Sequence, residues 1–346
     1  MRVLIHSRVF LPSLGGLENM MHMIAAELSL SGHAVTVLTM TEGPFEHNAA
    51  YRVIRRPSLT TLMSEALRAD VCLVANITLR TTPMLLLLGR KVVTVHHGWY
   101  EDRSAFDVSA KLKRILSYLT HNIFCSAGVR RRIGGHGIVI PNAYCDQIFR
   151  GHEDVPRDRD IVFLGRLVTD KGCDILLEAV GILRARARET NLTIVGDGPE
   201  LPQLKHQVDV LGLAGCVTFT GKVEGVALAR LLARHRMLAI PSVWEEPFGI
   251  VALEGAACGC VVLGTDGGGL PEAIGPCGIV VSRSDPGALA DAIERVIADP
   301  VLETHFRTAA LPHLSRHTRA VIGRQYNVAL ARVAGGLPLD AQTWEG

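Results

Sequence analysis

Two glutamates, Glu246 and Glu254, stand on either side of the point where the sequence pattern changes from loop to helix. The peptide N–H groups of Phe248, Gly249 and Ile250 would be unpaired donors at the start of that helix, where the helix dipole favours an anion. Carboxylates bind hydroxyl groups, and free amides bind phosphate. The arrangement therefore predicts a pocket for a phosphorylated sugar.

The spacing of the two glutamates argues against a hydrolase with paired carboxylates. On one helix, eight residues would separate them by roughly 12 Å along the axis. Glycosidases hold their two carboxyl groups at about 5 Å or at roughly 6.5–9.5 Å. Glu246 is expected to lie before the helix proper, and we do not expect the pair to act as nucleophile and acid.

A glycine-rich turn and a basic pair add to the predicted anion site. The glycines at 267–269 let the backbone approach a ligand closely, and Pro271 lies near the start of another helix. Arg166 and Lys171 lie on a loop that enters the helix predicted over 174–187. A planar guanidinium and a compact ammonium suit a diphosphate, whose negative charge grows as it departs.

Two glycine pairs lie between predicted strands and helices. Gly15 and Gly16 allow the backbone to pass close to a sugar or a phosphate. Gly196 and Gly198 imitate the start of a dinucleotide fingerprint, but Leu201 occupies the place of its third glycine. A nicotinamide-dependent enzyme is therefore not expected.

Two consecutive histidines, His96 and His97, end a predicted apolar strand. A lone histidine at a strand end is usually structural, whereas two in a row at the edge where parallel sheets bind ligands favour contact with a substrate. The sequence leaves open which of the two faces it.

The composition is that of a soluble enzyme of two domains, with 346 residues, 48% hydrophobic and 20% charged. No apolar run approaches the roughly 18 residues of a membrane span, and residues 1–6 are typical of a strand and not of a signal peptide. Eight scattered cysteines without a C-x-x-C motif favour a reduced, cytoplasmic setting and argue against a zinc site.

The net charge of +2 conceals an asymmetry between the two halves of the chain. Residues 1–150 contain 17 Lys and Arg against 10 Asp and Glu, whereas residues 151–346 contain 19 against 24. A basic first half suggests an anionic surface or an anionic acceptor. No stacking aromatics and no nucleic-acid-binding motif accompany the charge, so a nucleic-acid partner is not expected.

Short apolar runs alternate with helical stretches throughout, which predicts an α/β fold with parallel sheets. Each half is predicted to be one doubly wound, Rossmann-like domain, at 1–150 and 160–317, joined by a polar linker at 151–159. The carboxyl ends of both sheets are expected to face one cleft. The predicted strands are Arg2–His6, Ala34–Thr39, Val71–Ala75, Val92–His96, Ile123–Cys125 and Gly137–Ile140 in the first half, and Asp160–Leu164, Leu192–Val195, Val217–Thr220, Met237–Ile240, Val261–Leu263 and Gly278–Val281 in the second.

Two sequence strings carry a resemblance to a known enzyme family. Residues 241–254 read PSVWEEPFGIVALE, and residues 165–172 read GRLVTDKG. Together with the glycine-rich turn they resemble the donor-site signatures of the GT4-type retaining glycosyltransferases. This family has the GT-B architecture, in which two Rossmann-like domains face a central cleft. The resemblance is strong from 163 to 274, looser before that, and implies that residues 318–346 cross back to the first domain.

The resemblance assigns a role to each candidate residue. Gly15 and Gly16 would lie under the donor phosphates and meet the acceptor, and His96 would contact the donor sugar. Glu246 would bind sugar hydroxyls, and Glu254 would bind the ribose. The diphosphate would be held by the amides of 248–250 and by Arg166 and Lys171. Further contacts to the nucleotide would come from the loops with Gly196, Gly198, Lys222 and Val223.

The resemblance implies a retaining hexosyltransferase that moves a sugar from a nucleoside diphosphate to a hydroxyl acceptor, which can be a glycan, a lipid-linked molecule or a small molecule. No cofactor and no metal are expected, because the family uses helix dipoles and basic side chains instead. Asp158 and Asp160 resemble a metal-binding D-x-D motif but fall at the linker, and we assign them no metal. Without a nucleophile pair, front-face displacement assisted by the leaving phosphate is the expected route.

Two alternatives remain at the level of the sequence. One is a nucleotide-sugar 2-epimerase of the same fold, which would not be expected to combine the Arg166–Lys171 pair with the two glutamates. The other is a non-catalytic partner subunit of a glycosyltransferase, against which the intact motifs argue.

A segment at 102–119 has the pattern of an amphipathic helix. Some family members dock on anionic membranes through this region, which suggests peripheral contact with the inner face of a membrane. An ordinary surface helix explains the pattern equally well. The residues predicted to share the apolar face are Phe106, Ala110, Ile115 and Leu119, and the basic residues near it are Lys111, Lys113, Arg114 and Arg130–Arg132.

Overall fold

The computed structural model describes residues 1–13, 15–43, 50–100, 108–152 and 154–340. The chain divides into two compact units. The first unit combines Met1–Ala143 with Arg319–Gly346, and the second unit is Tyr144–Thr318.

The first unit contains a parallel sheet with the strand order β3-β2-β1-β4-β5-β6-β7 in the described residues. The strands are Arg2–His6 (β1), Ala34–Thr39 (β2), Arg52–Arg55 (β3), Val71–Ala75 (β4), Val92–His96 (β5), His121–Phe124 (β6) and Ile138–Val139 (β7). The helices between them are Gly16–Leu30 (α1), Leu59–Arg68 (α2), Thr82–Leu87 (α3), Val108–Ser117 (α4) and Ala127–Ile133 (α5). Strands β4 and β5 are buried along their whole length, as expected where helices cover both faces of a parallel sheet.

The second unit contains another parallel sheet, with the order β10-β9-β8-β11-β12-β13. Its strands are Arg159–Leu164 (β8), Leu192–Val195 (β9), Val217–Gly221 (β10), His235–Ile240 (β11), Val261–Thr265 (β12) and Gly278–Val281 (β13). Its helices are Cys173–Ala185 (α6), Leu201–Val210 (α7), Gly225–Ala233 (α8), Ile250–Ala257 (α9), Leu270–Ile274 (α10), Pro286–Ala298 (α11) and Pro300–Ser315 (α12). A core of Leu, Ile and Val side chains packs α6 and α11 against the sheet.

Both units therefore repeat the doubly wound order 3-2-1-4-5-6, and the predicted fold class of two Rossmann-like α/β domains is confirmed. Strand β3 was not predicted. It is an edge strand with the sequence Arg-Val-Ile-Arg, and its charged ends hide the apolar signal while they protect the open edge from pairing with another chain.

The division between the units differs from the predicted linker at 151–159. Asp154 and Asp158 form ion pairs with Arg230 and Arg234 at 2.8 and 2.7 Å. The Arg157 guanidinium donates to the carbonyl oxygen of Cys258 at 3.1 Å. These bonds tie the polar stretch to the second unit, so the division falls between Ala143 and Tyr144.

The last helix, Arg319–Ala334 (α13), belongs to the first unit and packs on α1. His33 Nε2 and Asn327 Oδ1 are 2.6 Å apart. A Cβ at Gly323 would lie 2.6 Å from Glu27 Cβ, so this glycine allows the two helices to approach closely.

Helix α4 differs from the amphipathic helix predicted at 102–119. Phe106 falls outside the described residues, and Ala110 is buried while Ile115 and Leu119 are exposed, so the predicted shared face is wrong. The exposed apolar stripe instead has helical spacing and consists of Val108, Leu112, Ile115 and Leu119. Within the described part of the chain, no helix combines the length and apolar character needed to cross a membrane.

Candidate functional site

The predicted donor residues collect at the carboxyl edge of the sheet in the second unit. Strands β8 and β11 are neighbours there, and the strand order reverses at this pair. Arg166 and Lys171 follow β8, and Glu246 follows β11. Open α/β sheets bind ligands at such a reversal point, because the two loops leave the sheet in opposite directions.

Glu246 is held by two side chains and one main-chain bond. Lys171 Nζ contacts Glu246 Oε1 as an ion pair, and Ser242 Oγ donates to the same oxygen at 2.8 Å. The Gly269 N–H donates to the carbonyl oxygen of Glu246 at 2.7 Å. Glu246 lies before α9, as predicted.

Ser242 was not singled out by the sequence. Its side chain is fully buried at the end of β11, and its carbonyl oxygen accepts a hydrogen bond from Thr265 Oγ1 at 2.8 Å. Thr265 ends β12, the neighbouring strand. A small polar residue two positions after a buried apolar strand is the signal that could have identified Ser242.

The loop with Lys171 is fixed against the loop with Glu246. The N–H groups of Val243 and Trp244 donate to the Asp170 carbonyl oxygen at 3.0 and 3.2 Å. Gly172 has φ +64°, and a Cβ there would lie 2.1 Å from the Pro241 carbonyl oxygen. Only glycine permits both this backbone conformation and this approach.

Gly196 and Gly198 bring a second loop against the one that carries Arg166. A Cβ at Gly196 would lie 1.8 Å from the carbonyl oxygen of Gly165, and one at Gly198 would lie 2.2 Å from that of Leu167. These two glycines therefore allow the two loops to pack closely together. Arg166 itself is exposed at the top of this pair of loops.

Helix α9 begins at Ile250 after Gly249, which has φ +93° and provides no side-chain cap. The Phe248 ring is buried and lies 5.7 Å from the His317 ring, centroid to centroid. The first N–H groups of a helix have no partner inside it. The helix that the predicted anion site requires is therefore present, and anion binding by the amides at 248–250 stays a prediction.

Glu254 is partly buried on α9, eight residues after Glu246. Burial raises the pKa of its carboxyl group from 4.5 to about 7. Lys222, the predicted neighbour of the base, is exposed and pairs with Glu224 at 2.7 Å, and Val223 beside it is partly buried. The Lys222 side chain therefore has a partner of its own.

Gly15, Gly16 and His96 belong to the first unit, at the carboxyl edge of its sheet. Gly15 precedes α1 with φ −175°, an extended conformation open to any residue, and Gly16 is the first residue of the helix. A Cβ at Gly15 would meet only the flexible Glu18 carboxylate, at 2.5 Å. The backbone itself does not demand glycine at this position.

His96 is fully buried, and both of its ring nitrogens have protein partners. Nε2 lies 2.9 Å from Asn122 Oδ1, and Nδ1 lies 3.0 Å from the Tyr100 hydroxyl. Asn122 Nδ2 donates to the Ser117 carbonyl oxygen at 2.8 Å, so Asn122 Oδ1 is the acceptor and His96 Nε2 carries the proton. Burial lowers the pKa of His96 to about 4, and the ring is neutral at pH 7.

His97 differs from its neighbour in the bonds of its ring. Its main-chain N–H donates to Asn76 Oδ1 at 3.0 Å. No described atom is placed to hydrogen-bond the buried Nε2, although the nearby Asn142 side chain favours the protonated ring. Burial outweighs that effect and lowers the pKa of His97 to about 4.

Asp158 and Asp160, the D-x-D motif, both have protein partners. Asp158 pairs with Arg234. Asp160 Oδ2 accepts from Asn191 Nδ2 at 2.7 Å and from the Asn191 N–H at 3.0 Å. Both aspartates therefore take part in the packing of the second unit.

Comparison with known proteins finds a matching family model and a similar curated protein. Residues 158–299 match the family model of the glycosyl transferases group 1. The GDP-mannose-dependent alpha-(1-6)-phosphatidylinositol monomannoside mannosyltransferase of Mycolicibacterium smegmatis is 29% identical, over 94% of this chain and 95% of that protein.

Solved structures share the fold across nearly the whole chain. HepE from Anabaena, in complex with UDP, has a TM-score of 0.82 at 20% identity, covering 96% of this chain and 100% of HepE. Sucrose-phosphate synthase from Thermosynechococcus elongatus has a TM-score of 0.77 at 20% identity, covering 97% and 99%. At this level of identity the likeness concerns the fold alone.

Proposed function

Because this chain belongs to the group 1 glycosyltransferases, we propose that it moves a sugar from a nucleoside diphosphate to a hydroxyl acceptor, with retention at the anomeric carbon and without a metal ion. The observation that carries this proposal is the cluster of Arg166, Lys171 and Glu246 where β8 and β11 end. Helix α9 starts in the loop after Glu246, and the first N–H groups of a helix have no partner inside it.

The diphosphate would be bound by groups that carry positive charge or donate hydrogen bonds. Lys171 has three donors and gives one to Glu246, so others remain for phosphate oxygens. Arg166 is exposed and can reach a ligand, and the amides at 248–250 lie at the positive end of a helix dipole. These groups stabilise the charge that develops on the leaving group without a cation.

The two glutamates would hold the hydroxyl-bearing parts of the donor. Glu246, fixed by Lys171 and Ser242, would accept hydrogen bonds from the transferred sugar. Glu254 would accept them from the ribose. Gly196 and Gly198 would support the loop with Arg166, and the main chain at Lys222 and Val223 would meet the base.

Retention at the anomeric carbon is proposed because the chain resembles the retaining GT4-type glycosyltransferases, and a front-face displacement is the route that fits the residues present. Glu246 is engaged with a cation and a hydroxyl, and a front-face displacement requires no enzyme nucleophile. The bond from the anomeric carbon to the phosphate oxygen breaks, and the acceptor oxygen bonds to that carbon from the same face. The acceptor proton passes to the departing phosphate oxygen.

The first test is a thermal-shift screen with UDP-, GDP- and ADP-sugars. A ligand at 100 times its Kd stabilises the folded protein by about 2.7 kcal/mol. NMR of the product then gives the anomeric configuration. Assays of transfer with and without EDTA test whether the reaction needs a metal ion. An inverted product, or activity abolished by EDTA and restored by Mg²⁺, contradicts the corresponding part of the proposal.

The first unit would bind an anionic, lipid-linked acceptor. The basic balance of residues 1–150 supports an acidic partner. The mannosyltransferase of M. smegmatis, named for its action on a phosphatidylinositol mannoside, supports a lipid. Gly15 and Gly16 would meet this acceptor. All eight cysteines are free thiols, which supports a reducing, cytoplasmic location.

Helix α4 would contact the inner face of the membrane. Its exposed Val108, Leu112 and Ile115, together with Leu119 just after the helix, can enter the interface, and Lys111 beside them is exposed. Each basic side chain near an anionic surface contributes about 1 kcal/mol. An apolar stripe flanked by positive charge fits an anionic bilayer.

The membrane contact is tested by sedimentation with phosphatidylglycerol vesicles. Binding should weaken between 0.1 and 1 M salt, because the Debye length falls from about 10 to about 3 Å. Neutralising Lys111 and Arg114 together, or replacing Leu112 and Ile115 by Ser, should also weaken it. A protein that ignores these vesicles at low salt would have a soluble acceptor instead.

A non-catalytic subunit would bind the donor without turning it over. Slow hydrolysis of the nucleotide sugar in the absence of acceptor therefore distinguishes the proposed enzyme from such a subunit. An epimerase would release an altered nucleotide sugar, which the same assay detects by chromatography.

A further inference from the structure

The carboxylate of Glu246 uses its two oxygens unequally. Lys171 Nζ and Ser242 Oγ both contact Oε1. No hydrogen bond from the described residues reaches Oε2, and Oε2 is not among the buried polar atoms without a partner. One oxygen is therefore anchored to the protein, and the other remains accessible to a ligand.

The two anchors differ in what a ligand does to them. Lys171 is a flexible cation with a partly exposed side chain, and a diphosphate competes for its ammonium group. Ser242 is fully buried and carries no charge. A bound anion does not attract its hydroxyl away from the carboxylate.

Ser242 is itself fixed from a neighbouring strand. The Thr265 hydroxyl donates to the Ser242 carbonyl oxygen at 2.8 Å, and Thr265 is buried at the end of β12. The Ser242 hydroxyl thus starts from a rigid strand end and reaches a carboxylate four residues later. Groups held by packing and hydrogen bonds keep a reactive geometry better than groups on free loops.

We propose that Ser242 is a positioning residue that keeps Glu246 Oε2 directed at the donor sugar while Lys171 turns to the diphosphate. This inference rests on the proposed function, because it assumes that Glu246 binds the sugar. Ser242 acts through Glu246 and touches no substrate. Removal of its hydroxyl leaves the carboxylate free to follow Lys171 or to rotate away from the sugar.

The decisive variants are Ser242→Ala, Glu246→Gln and the double variant. Ser242→Ala should lower kcat/KM for transfer by roughly 10- to 100-fold, since a hydrogen bond to a charged group is lost. Isothermal calorimetry with UDP-glucose and GDP-mannose, against UDP and GDP alone, separates the sugar from the nucleotide. Only the affinity gained from the sugar should shrink, and affinity for the free diphosphate should stay within about twofold.

The double variant tests the route of the effect. If Ser242 acts through Glu246, Ser242→Ala should cost less in the Glu246→Gln background than in wild type, because the serine hydroxyl then donates to a neutral amide and not to a carboxylate. Thr265→Val is the graded comparison, since it loosens the support of Ser242 but leaves both bonds to Oε1 in place. Its loss of activity should be smaller than that of Ser242→Ala.

Three outcomes overturn the proposal: wild-type kinetics in Ser242→Ala, equal loss of affinity for sugar nucleotide and free diphosphate, or full additivity in the double variant. If Ser242→Ala does not fold, Ser242→Cys keeps the volume with a weaker donor and is judged by the same criteria. Wild-type activity in Glu246→Gln would contradict the proposed function instead, and the two failures are thereby distinguished.

Discussion

The two sheets share one strand order, yet their carboxyl edges differ in chemistry. In the second unit the edge carries the exposed Arg166, the partly exposed Lys171 and the largely buried Glu246. In the first unit it carries His96 and His97, which are neutral because burial lowers both pKa values to about 4. The same topology thus carries a charged edge in one unit and a neutral edge in the other, and the loops decide which one forms.

The contrast extends to the way each edge is built. The charged edge depends on glycines that let main chains touch, such as Gly172 and Gly198. The neutral edge depends on a chain of side-chain hydrogen bonds that joins Tyr100, His96 and Asn122. Substitutions at the two edges should therefore fail in different ways.

The largest expected effect is at the charged edge. Arg166→Ala and Lys171→Ala should each remove roughly 2–4 kcal/mol of transition-state stabilisation, a loss of about 10²–10³ in kcat/KM. Lys222→Ala is the matched control, because Lys222 already pairs with Glu224, and it should stay within a few fold of wild type. Steady-state kinetics with the donor found in the thermal-shift screen measure kcat/KM for each variant. Near-normal rates in both alanine variants would remove the charged edge from the mechanism.

The next effect compares glycines of the two edges. Gly198→Ala brings a Cβ within 2.2 Å of a carbonyl oxygen, and overpacking of this kind costs roughly 1–3 kcal/mol. Both thermal stability and activity should fall, since the loop with Arg166 must move. Gly15→Ala faces only the Glu18 side chain and should unfold at nearly the wild-type temperature. Equal destabilisation by the two substitutions would contradict this distinction.

The third effect separates the two histidines of the neutral edge. His96→Ala leaves the Tyr100 hydroxyl and Asn122 Oδ1 without their partner, at a cost of roughly 1–3 kcal/mol, and should lower Tm by a few degrees. His97→Ala should lower Tm less than His96→Ala and slow transfer more, because its buried Nε2 has no hydrogen-bond partner among the described residues. Differential scanning calorimetry beside initial rates gives both readouts. If His97→Ala lowers Tm and His96→Ala mainly slows transfer, His96 is the histidine that contacts the substrate.

The last effect is a pH dependence at Glu254. Its folded pKa of about 7 exceeds the ordinary 4.5, so the folded state keeps a proton that the unfolded state loses. The free energy of unfolding therefore falls as pH rises from about 4.5 to 7. Glu254→Gln should remove this loss and be more stable than wild type at pH 8, with no difference at pH 4. Thermal melts across this range test the sign.

The same carboxyl group should make nucleotide binding depend on pH. A ribose hydroxyl donates to the ionised form, and a group with a pKa near 7 changes its ionised fraction about tenfold between pH 6 and 8. Affinity for the free nucleoside diphosphate should rise over this range in wild type and stay flat in Glu254→Gln. If the affinity of wild type does not change with pH, the proposed contact between Glu254 and the ribose is wrong.

The sequence was sufficient where a local signal coincides with structure. Apolar runs such as β4 and β11 end close to the predicted residues, and the loops after β8 and β11 carry the predicted charges. Helix α4 shows the limit of that signal, because its pattern permits several faces and tertiary packing buries Ala110 instead of Ile115.

Contacts between residues that are far apart in the chain could not be predicted from the sequence. Ser242 holds Glu246 through a hydrogen bond. The Nε2 of His96 is already bonded to Asn122, which lies on the next strand. Gly196 and Gly198 were predicted as ligand neighbours, while the structure adds main-chain packing against Gly165 and Leu167. Such pairings depend on strand order and loop approach, which no local pattern encodes.

The return of α13 to the first unit has a consequence for synthesis on the ribosome. The first unit is interrupted after Ala143 and is completed only by Arg319–Ala334. At about 5–20 residues per second, the ribosome needs roughly 10–40 s to make the intervening chain. The second unit is continuous and emerges as a whole. The face of α1 that packs on α13 stays uncovered until α13 has been made. A nascent chain halted before residue 319 would therefore hold a complete second unit beside an unfinished first one, open to chaperones and proteases.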